Sequence, residues 1–236
     1  MNKQLLDFSI PEAKMHKVTL GSPFALAPWD AYFEVSADEL FKHGGLIVDI
    51  GGGMRIDDKK GDRAEERRQK LFGKYLKDSK VKYHATDYTD KYHPDSVQDI
   101  HKLTFANESV DGLFCLAVLE HVYDPKKAAE EVMRVLKKGG MALIYVPFIY
   151  RYHANVTQDY RDYYRYSKDG LAYLFRGNSS IELCPVRGLF ESLLRFTPLH
   201  RVPGLASLCR LVDWSSSKMK KISERQASGY FVKITK

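Results

Sequence analysis

The sequence predicts an α/β domain, a doubly wound and mostly parallel sheet with helices on both faces, and three observations carry that expectation. Apolar runs at Leu46–Ile50, interrupted by Asp49, at Val110–Val118, interrupted by Asp111, and, without a break, at Met141–Val146 have the composition of strands buried on both faces. Segments with helical patterning alternate with these runs, as crossover connections require. The first run ends in Gly51-Gly52-Gly53, where missing side chains let a ligand approach the backbone closely, as in nucleotide-binding α/β domains.

Taken in order, Pro23–Phe33 with Trp29, Tyr32 and Phe33 reads either as a lid over a ligand or as a packed N-terminal helix. Residues 54–61 form a charged loop after the glycines, and Asp62–Glu65 resembles a capping box opening a helix to about Lys77. Val81–Asp87 reads as the second strand. Asp124-Pro125 starts a helix with apolar positions Ala129, Val132, Met133 and Leu136, and Lys137-Lys138-Gly139-Gly140 is expected to stop it before the strand at Met141. Seven tyrosines fall between Tyr145 and Tyr166, too many polar tips for a plain core segment. Ser167–Phe175 reads as a short capped helix, and Ile181–Val186 and Gly229–Ile234 as the last strands, with amphipathic helical pieces between them.

The 236 residues, 44% hydrophobic and 12% aromatic, suit one globular domain. It divides into an N-terminal lid or cap (1–43), a ligand-binding core (44–147), an acceptor-side loop and helix (148–180) and a basic helical insertion (187–228). Residues 187–236 hold ten Lys/Arg and three Asp/Glu, so this stretch accounts for the whole net charge of +7. A solvated helical face and a surface for anionic groups explain it equally well. Met1–Lys14 lacks a signal-peptide pattern and the longest apolar run, Met141–Tyr150, is too short to span a bilayer. Cys115, Cys184 and Cys209 have no metal-like spacing and suit buried thiols in a reducing compartment. The expected setting is cytoplasmic, with peripheral contact to a membrane left open.

Neither familiar phosphate-binding pattern fits. The third glycine of a dinucleotide fingerprint would fall at Ile56, and no Lys-Ser/Thr pair follows the turn. Five segments, Val48-Asp-Ile-Gly-Gly-Gly53, Asp87, Asp99-Ile100, Leu116-Ala-Val-Leu-Glu-His-Val122 and Arg134-Val-Leu-Lys-Lys-Gly-Gly140, instead resemble class I S-adenosylmethionine-dependent methyltransferases of the type 11 group over about residues 44–147. The resemblance implies a Rossmann-like sheet of seven strands and S-adenosyl-L-methionine as cofactor. It implies that Asp49 and the Gly51, Gly52 and Gly53 backbone receive the methionine portion. Asp87, with Tyr88 beside it, would take the ribose hydroxyls, and Asp99 the adenine amino group with Ile100 on the ring. Leu116 and Ala117 would form the floor below the sulfonium. An Asp at a strand end also serves as a helix N-cap, and Glu120 and His121 also suit a loop start. Some quinone-pathway relatives carry a further Glu three residues before the Glu-His pair and use the set for a metal; Ala117 stands there, so no metal is expected.

His153 follows the strand at 141–146 on the ligand side and, with an ordinary imidazole pKa of about 6.5, is the expected general base. Asp159 or Asp162 would orient it, and His121 is the rival base. The tract from Pro147 to Ser167, followed by Gly170-Leu171, resembles polysaccharide-modifying members of the group, which implies a sugar hydroxyl on a glycan or glycosylated small molecule as acceptor. The competing readings are a phenolic or quinone-like acceptor and a binding module without turnover. Nucleic acid is demoted, because no Asp/Asn-Pro-Pro-aromatic motif is present and Cys184-Pro185 reverses the Pro-Cys order. The insertion at 187–228, with Leu189, Phe190, Leu193, Leu194 and Phe196 beside Arg195 and Arg201, suits an anionic lipid surface, a lipid-linked glycan or a homodimer interface.

Overall fold

Neighbouring residues of each central strand point to opposite sides, and both sides are apolar. Ile47, Phe114 and Leu143 enter one core cluster, while their chain neighbours Val48, Leu113 and Ile144 enter the other. A sheet of this composition has to be covered on both faces. The computed structural model describes residues 13–19, 26–56, 65–155, 157, 160–177 and 180–236. Its strands are β1 (Lys14–Met15), β2 (Gly45–Ile50), β3 (Val81–Asp87), β4 (Ser96–Val97), β5 (Val110–Leu116), β6 (Leu136–Pro147), β7 (Ser180–Val186) and β8 (Gly229–Thr235). Their spatial order is β1-β7-β8-β6-β5-β2-β3-β4, with β8 antiparallel to β6 and β7 and every other pair parallel. The described sheet thus has eight strands rather than the expected seven. The two-residue edge strands β1 and β4 are too short to leave a pattern in the sequence.

The helices are α1 (Pro28–His43), α2 (Glu66–Phe72), α3 (Pro125–Val135), α4 (Lys168–Leu174), α5 (Leu189–Leu194), α6 (Leu205–Asp213) and α7 (Ser217–Arg225). α1 covers one face and buries Trp29, Tyr32, Phe33, Leu40 and Phe41. Phe41 stacks on Tyr75 at 4.9 Å and meets Phe114 of β5 at 5.2 Å between ring centroids. Trp29, Tyr32 and Phe33 therefore pack into the core as the packed-helix reading expects; Pro23–Ala25, the start of the expected lid, lies outside the described residues. α3 covers the other face through Ala128, Ala129, Val132 and Val135. Among the described residues no helix is long and apolar enough to cross a membrane.

Two helix boundaries differ from expectation. Asp62 lies outside the described residues, and α2 is capped by Glu65, whose carboxylate accepts from the Arg67 and Arg68 amides at 3.2 and 3.0 Å. α3 does not stop at Gly139-Gly140 but ends at Val135 and passes directly into β6. Leu136 already pairs with Val110, and the register shifts before Gly112 meets Met141, so the intervening residues form a bulge. Gly139 takes φ +76° there, a conformation that favours glycine. Ser167 caps α4 through Gly170 N at 3.1 Å, as its sequence suggests.

At the end of β2 the Asp49 side chain is completely buried. Its Oδ2 accepts from the Tyr83 hydroxyl of β3 at 2.6 Å and from the Met54 amide at 2.9 Å, so one carboxylate joins two strands to the glycine turn. Burial, opposed by these hydrogen bonds, pushes its pKa up to about 6. In the unfolded chain the group titrates near the ordinary Asp value of about 3.9. Between these values the folded state binds the proton more tightly, so this group makes stability fall as pH rises through the window. Urea unfolding of Asp49→Asn against the parent should show the difference shifting towards the variant by on the order of 2–3 kcal/mol between pH 4 and 6.5, then levelling. A difference independent of pH would remove Asp49 from this role.

Candidate active site

Parallel sheets bind ligands beyond the carboxyl ends of their strands, and most of the residues singled out in the sequence gather there. The turn after β2 runs through Gly51 (φ +76°) and Gly52 (φ +56°). A Cβ on Gly51 would lie 2.6 Å from Val118 Cγ2, and one on Gly53 would lie 2.8 Å from Leu116 Cβ, so both glycines are required by the close approach of the end of β5. A Cβ on Gly52 would meet no atom within 4 Å, which leaves this stretch of backbone open to a ligand. Arg68 donates to Gly53 O at 2.6 Å and lies 4.8 Å from the Phe33 ring centroid, holding the turn from the α2 side. No motif in the sequence marks Arg68 or Tyr83 for these roles.

Asp49 faces the interior of the turn, and its Oδ1 has no hydrogen-bond partner. Asp87 ends β3, half-buried, and accepts from Thr89 N at 3.3 Å; Tyr88 beside it is 71% exposed. Asp99 accepts from the amide of His101 at 2.9 Å and sits 2.7 Å from its Nδ1. Ile100 is buried in the same core cluster as Val48 and Ile50. Leu116 lies beneath Gly53, while Ala117 is exposed and takes φ +57°, its amide donating to Tyr145 O at 3.0 Å. A left-handed alanine at a strand end is a strained conformation of the sort that accompanies functional sites.

Three residues beyond Ala117 a second cluster begins. Glu120, on a short 3-10 turn at Leu119–His121, is 1% exposed, and neither carboxylate oxygen has a hydrogen-bond partner. His121 Nε2 and His153 Nε2 lie 3.8 and 3.7 Å from its Oε1, with the two rings at 4.9 Å in an edge-on arrangement. The loop carrying His153 is held by Asp162, which accepts from the His153 amide at 2.8 Å and pairs with the Arg165 guanidinium. Arg165, opposed by burial, keeps Asp162 down to about 2. The Glu120 carboxylate facing His153 raises that imidazole above its ordinary range. The fold thus brings together His121, His153 and Asp162, while Asp159 lies outside the described residues. Glu120, read in the sequence as a loop start or as part of a metal set that Ala117 leaves incomplete, is the group around which the cluster is built. Among the described residues these three side chains, Glu120, His121 and His153, are also the group whose ligand atoms, all within 4.8 Å of one another, are spaced to hold a metal ion.

The tyrosine-rich tract divides its work. Tyr166 is buried and donates to Leu119 O at 2.6 Å, and the Tyr163 amide donates to Glu120 O at 2.8 Å, fastening the tract to the turn below. Tyr123, Tyr150, Tyr152 and Tyr163 remain 40–74% exposed around the cluster's sequence neighbourhood, with Tyr150 edge-on to His153 at 5.4 Å.

A methyltransferase-domain family matches residues 70–144, about a third of the chain. No curated protein sequence matches it. Among solved structures, phosphoethanolamine N-methyltransferase 2 of Haemonchus contortus, in complex with phosphomonomethylethanolamine and S-adenosylhomocysteine, superposes with a TM-score of 0.50 at 17% identity, over 87% of this chain and 52% of that one. The same enzyme in complex with S-adenosyl-L-methionine aligns at 18% identity with a TM-score of 0.50, over 87% of this chain and 52% of that one. The chain therefore spans about half the length of the Haemonchus enzyme. A SAM-dependent methyltransferase from Archaeoglobus fulgidus matches with a TM-score of 0.50 at 13% identity over 88% of this chain and 93% of that one. The chain has the Rossmann-like fold of these methyltransferases, and residues 70–144 carry the methyltransferase-domain pattern.

Proposed function

We propose that this chain is an S-adenosylmethionine-dependent methyltransferase acting on a hydroxyl of a polar, sugar-like acceptor. The observation that carries the reading is the end of β5. Leu116 supports the glycine turn, and four residues later Glu120 begins the histidine cluster, so the two halves of a methyl-transfer site meet on one strand end. The residues fit the cofactor. Gly52 leaves open backbone, Asp49 Oδ1 is a buried acceptor without a partner, and the Asp87 carboxylate stands at the end of β3, where acidic residues receive ribose hydroxyls in related nucleotide folds.

When bound, the cofactor supplies an electrophilic methyl group on a sulfonium. The chain's own task is positioning, since holding an acceptor oxygen on the methyl axis supplies much of the barrier reduction. The new bond forms between the acceptor oxygen and the methyl carbon as the carbon–sulfur bond breaks, and the hydroxyl proton has to leave. The Glu120–His121–His153 cluster is the group suited to handle that proton. The exposed tyrosines offer apolar faces for sugar C–H groups and hydroxyls for its polar edge, which supports a sugar over a flat apolar acceptor.

Calorimetric titration with S-adenosylmethionine and, separately, NAD tests the cofactor assignment: the first should bind and the second should not. Asp87→Ala should weaken that binding at least tenfold. With methyl-labelled cofactor and a panel of sugar acceptors, His153→Ala should bind the cofactor as the parent does yet lose about 10²-fold or more in turnover. Binding of NAD alone overturns the cofactor reading, and full turnover by His153→Ala moves the acceptor site elsewhere.

A further inference from the structure

We infer that Glu120, His121 and His153 bind a divalent first-row transition-metal ion. Binding stands on the three side chains, and only the ion's role in the reaction rests on the function proposed above. Glu120 is almost wholly removed from water, and both of its oxygens lack a hydrogen-bond partner. A buried carboxylate in that state requires a compensating charge. The groups facing it are His121 Nε2 and His153 Nε2, at 3.8 and 3.7 Å, too far for hydrogen bonds.

The other nitrogen of each ring decides what faces Glu120. His121 Nδ1 lies 2.5 Å from Arg161 O, a group that can only accept, so Nδ1 carries the hydrogen and Nε2 of the neutral ring presents a lone pair. His153 Nδ1 lies 3.1 Å from Arg151 O and 3.3 Å from Asp162 Oδ2, again acceptors. The Arg165 guanidinium, 3.5 Å away, is committed to Asp162 Oδ2 and Arg151 O. With both rings neutral, the form a metal ion selects, three electron-pair donors converge on one point. Around a tetrahedral ion with bonds of about 2.1 Å, neighbouring ligand atoms stand about 3.4 Å apart; the two Glu120–histidine separations of 3.8 and 3.7 Å come within a few tenths of an ångström of that, and all three ligand atoms lie within 4.8 Å of one another.

The donor set names the class of ion. Two imidazoles and one carboxylate suit Zn²⁺, Co²⁺, Mn²⁺ or Fe²⁺ and not the all-oxygen preference of Ca²⁺ or Mg²⁺. A carbonyl or carboxylate behind each Nδ1 is the outer support that orients metal-bound histidines. Three protein ligands leave a position open, where the ion would acidify a bound acceptor hydroxyl so that its proton passes to solvent, the cluster then handling the proton through the ion rather than through a free imidazole. This departs from the sequence expectation of no metal. Ala117 cannot serve, and the third ligand comes instead from the loop carrying His153.

Tag-free protein stripped with chelator and titrated with Co²⁺ should develop the visible bands of a low-symmetry cobalt site with one ion per chain, and Zn²⁺ should displace it. Glu120→Gln and His153→Ala should each weaken Co²⁺ binding at least 10²-fold. Glu120→Gln is near-isosteric, and His153 lies on a half-exposed loop, so His153→Ala carries the test should the first variant misfold. Absence of the bands in the parent, or affinity unchanged in both variants, overturns the site. S-adenosylmethionine titration of the same samples reads the cofactor assignment separately, so failure of the metal site leaves that assignment standing.

A different region carries a second inference: we propose that the outer face of α5 and α6 docks on an anionic membrane surface. Phe190, Leu193, Phe196, Leu199 and Val202, every third residue through α5 and the turn after it, are 42–54% exposed, and Leu208 and Leu211 of α6 add to them. The acids of these two helices point inward. Asp213 is buried and accepts from the Phe190 and Glu191 amides at 2.8 and 3.0 Å, and buried Glu191 pairs with Arg210 at 3.1 Å. Arg201, in the turn between the two helices, stays exposed, as do Lys218, Lys221 and Arg225 of α7, which packs against both, so exposed cations neighbour the apolar face. A second copy across a twofold axis would set these cations against one another, whereas anionic headgroups neutralise them.

Sedimentation of the full chain with phosphatidylcholine vesicles, alone and in equimolar mixture with phosphatidylserine, tests the face. Binding should require phosphatidylserine and fall with added salt, and Phe196→Ser with Leu199→Ser should reduce it at least tenfold. Binding insensitive to the double variant, or no binding to either vesicle, overturns the membrane assignment. So does a parent dimer that the double variant dissociates.

Discussion

The Asp49 carboxylate lies at the bottom of the glycine turn, with one oxygen held by Tyr83 and the Met54 amide and the other unmatched. Taking such a group out of water is costly unless its hydrogen bonds are made, so the geometry around it is tightly specified. Tyr83 ties it to β3, Met54 closes the turn over it, and Arg68 reaches the same turn through Gly53 O. The open backbone at Gly52 thus lies between contacts made by the Asp49 carboxylate and by Arg68.

From that point the site extends across the sheet through the end of β5. Gly51 and Gly53 can press against Val118 and Leu116 only because they lack Cβ atoms. Ala117, between those two contacts, is forced into a left-handed conformation and turns the chain out of the strand. The turn that follows carries Glu120 to the interior and His121 towards the loop from β6. The strained Ala117 thus stands between the contacts to the glycine turn and the histidine cluster, so the end of one strand positions both.

The loop between β6 and α4 is ordered by the same turn. Tyr166 and the Tyr163 amide bond to the Leu119 and Glu120 carbonyls, while Asp162 and Arg165 brace His153 from behind. Some of the polar tips that made this tract look like an acceptor surface are structural struts. The rings of Tyr150, Tyr152 and Tyr163 stay exposed on a scaffold that the struts hold in place. The basic helical segment after β7 follows a related logic, because Glu191 and Asp213 are drawn inward to an arginine and to backbone amides while Arg201, Lys218, Lys221 and Arg225 are left outside.

The central strands, the glycine turn, the caps at Asp124 and Ser167 and the character of α3 were all legible in the sequence, because each rests on contacts within a few residues or on a strand's own composition. The bulge at Gly139 was misread as a helix stop, since a glycine with positive φ looks the same in either role until its pairing partner, Val110, is known. Trp29, Tyr32 and Phe33 left lid and core open because aromatic residues suit both, and only the sheet face they meet decides. Glu120 and His121 were visible as neighbours, but their meeting with His153 spans more than thirty residues and depends on where β5 and β6 end side by side. Local chemistry is written in the sequence; the convergence of distant groups on one buried carboxylate is decided by the tertiary fold, because only chain packing sets which side chains share the same water-free space.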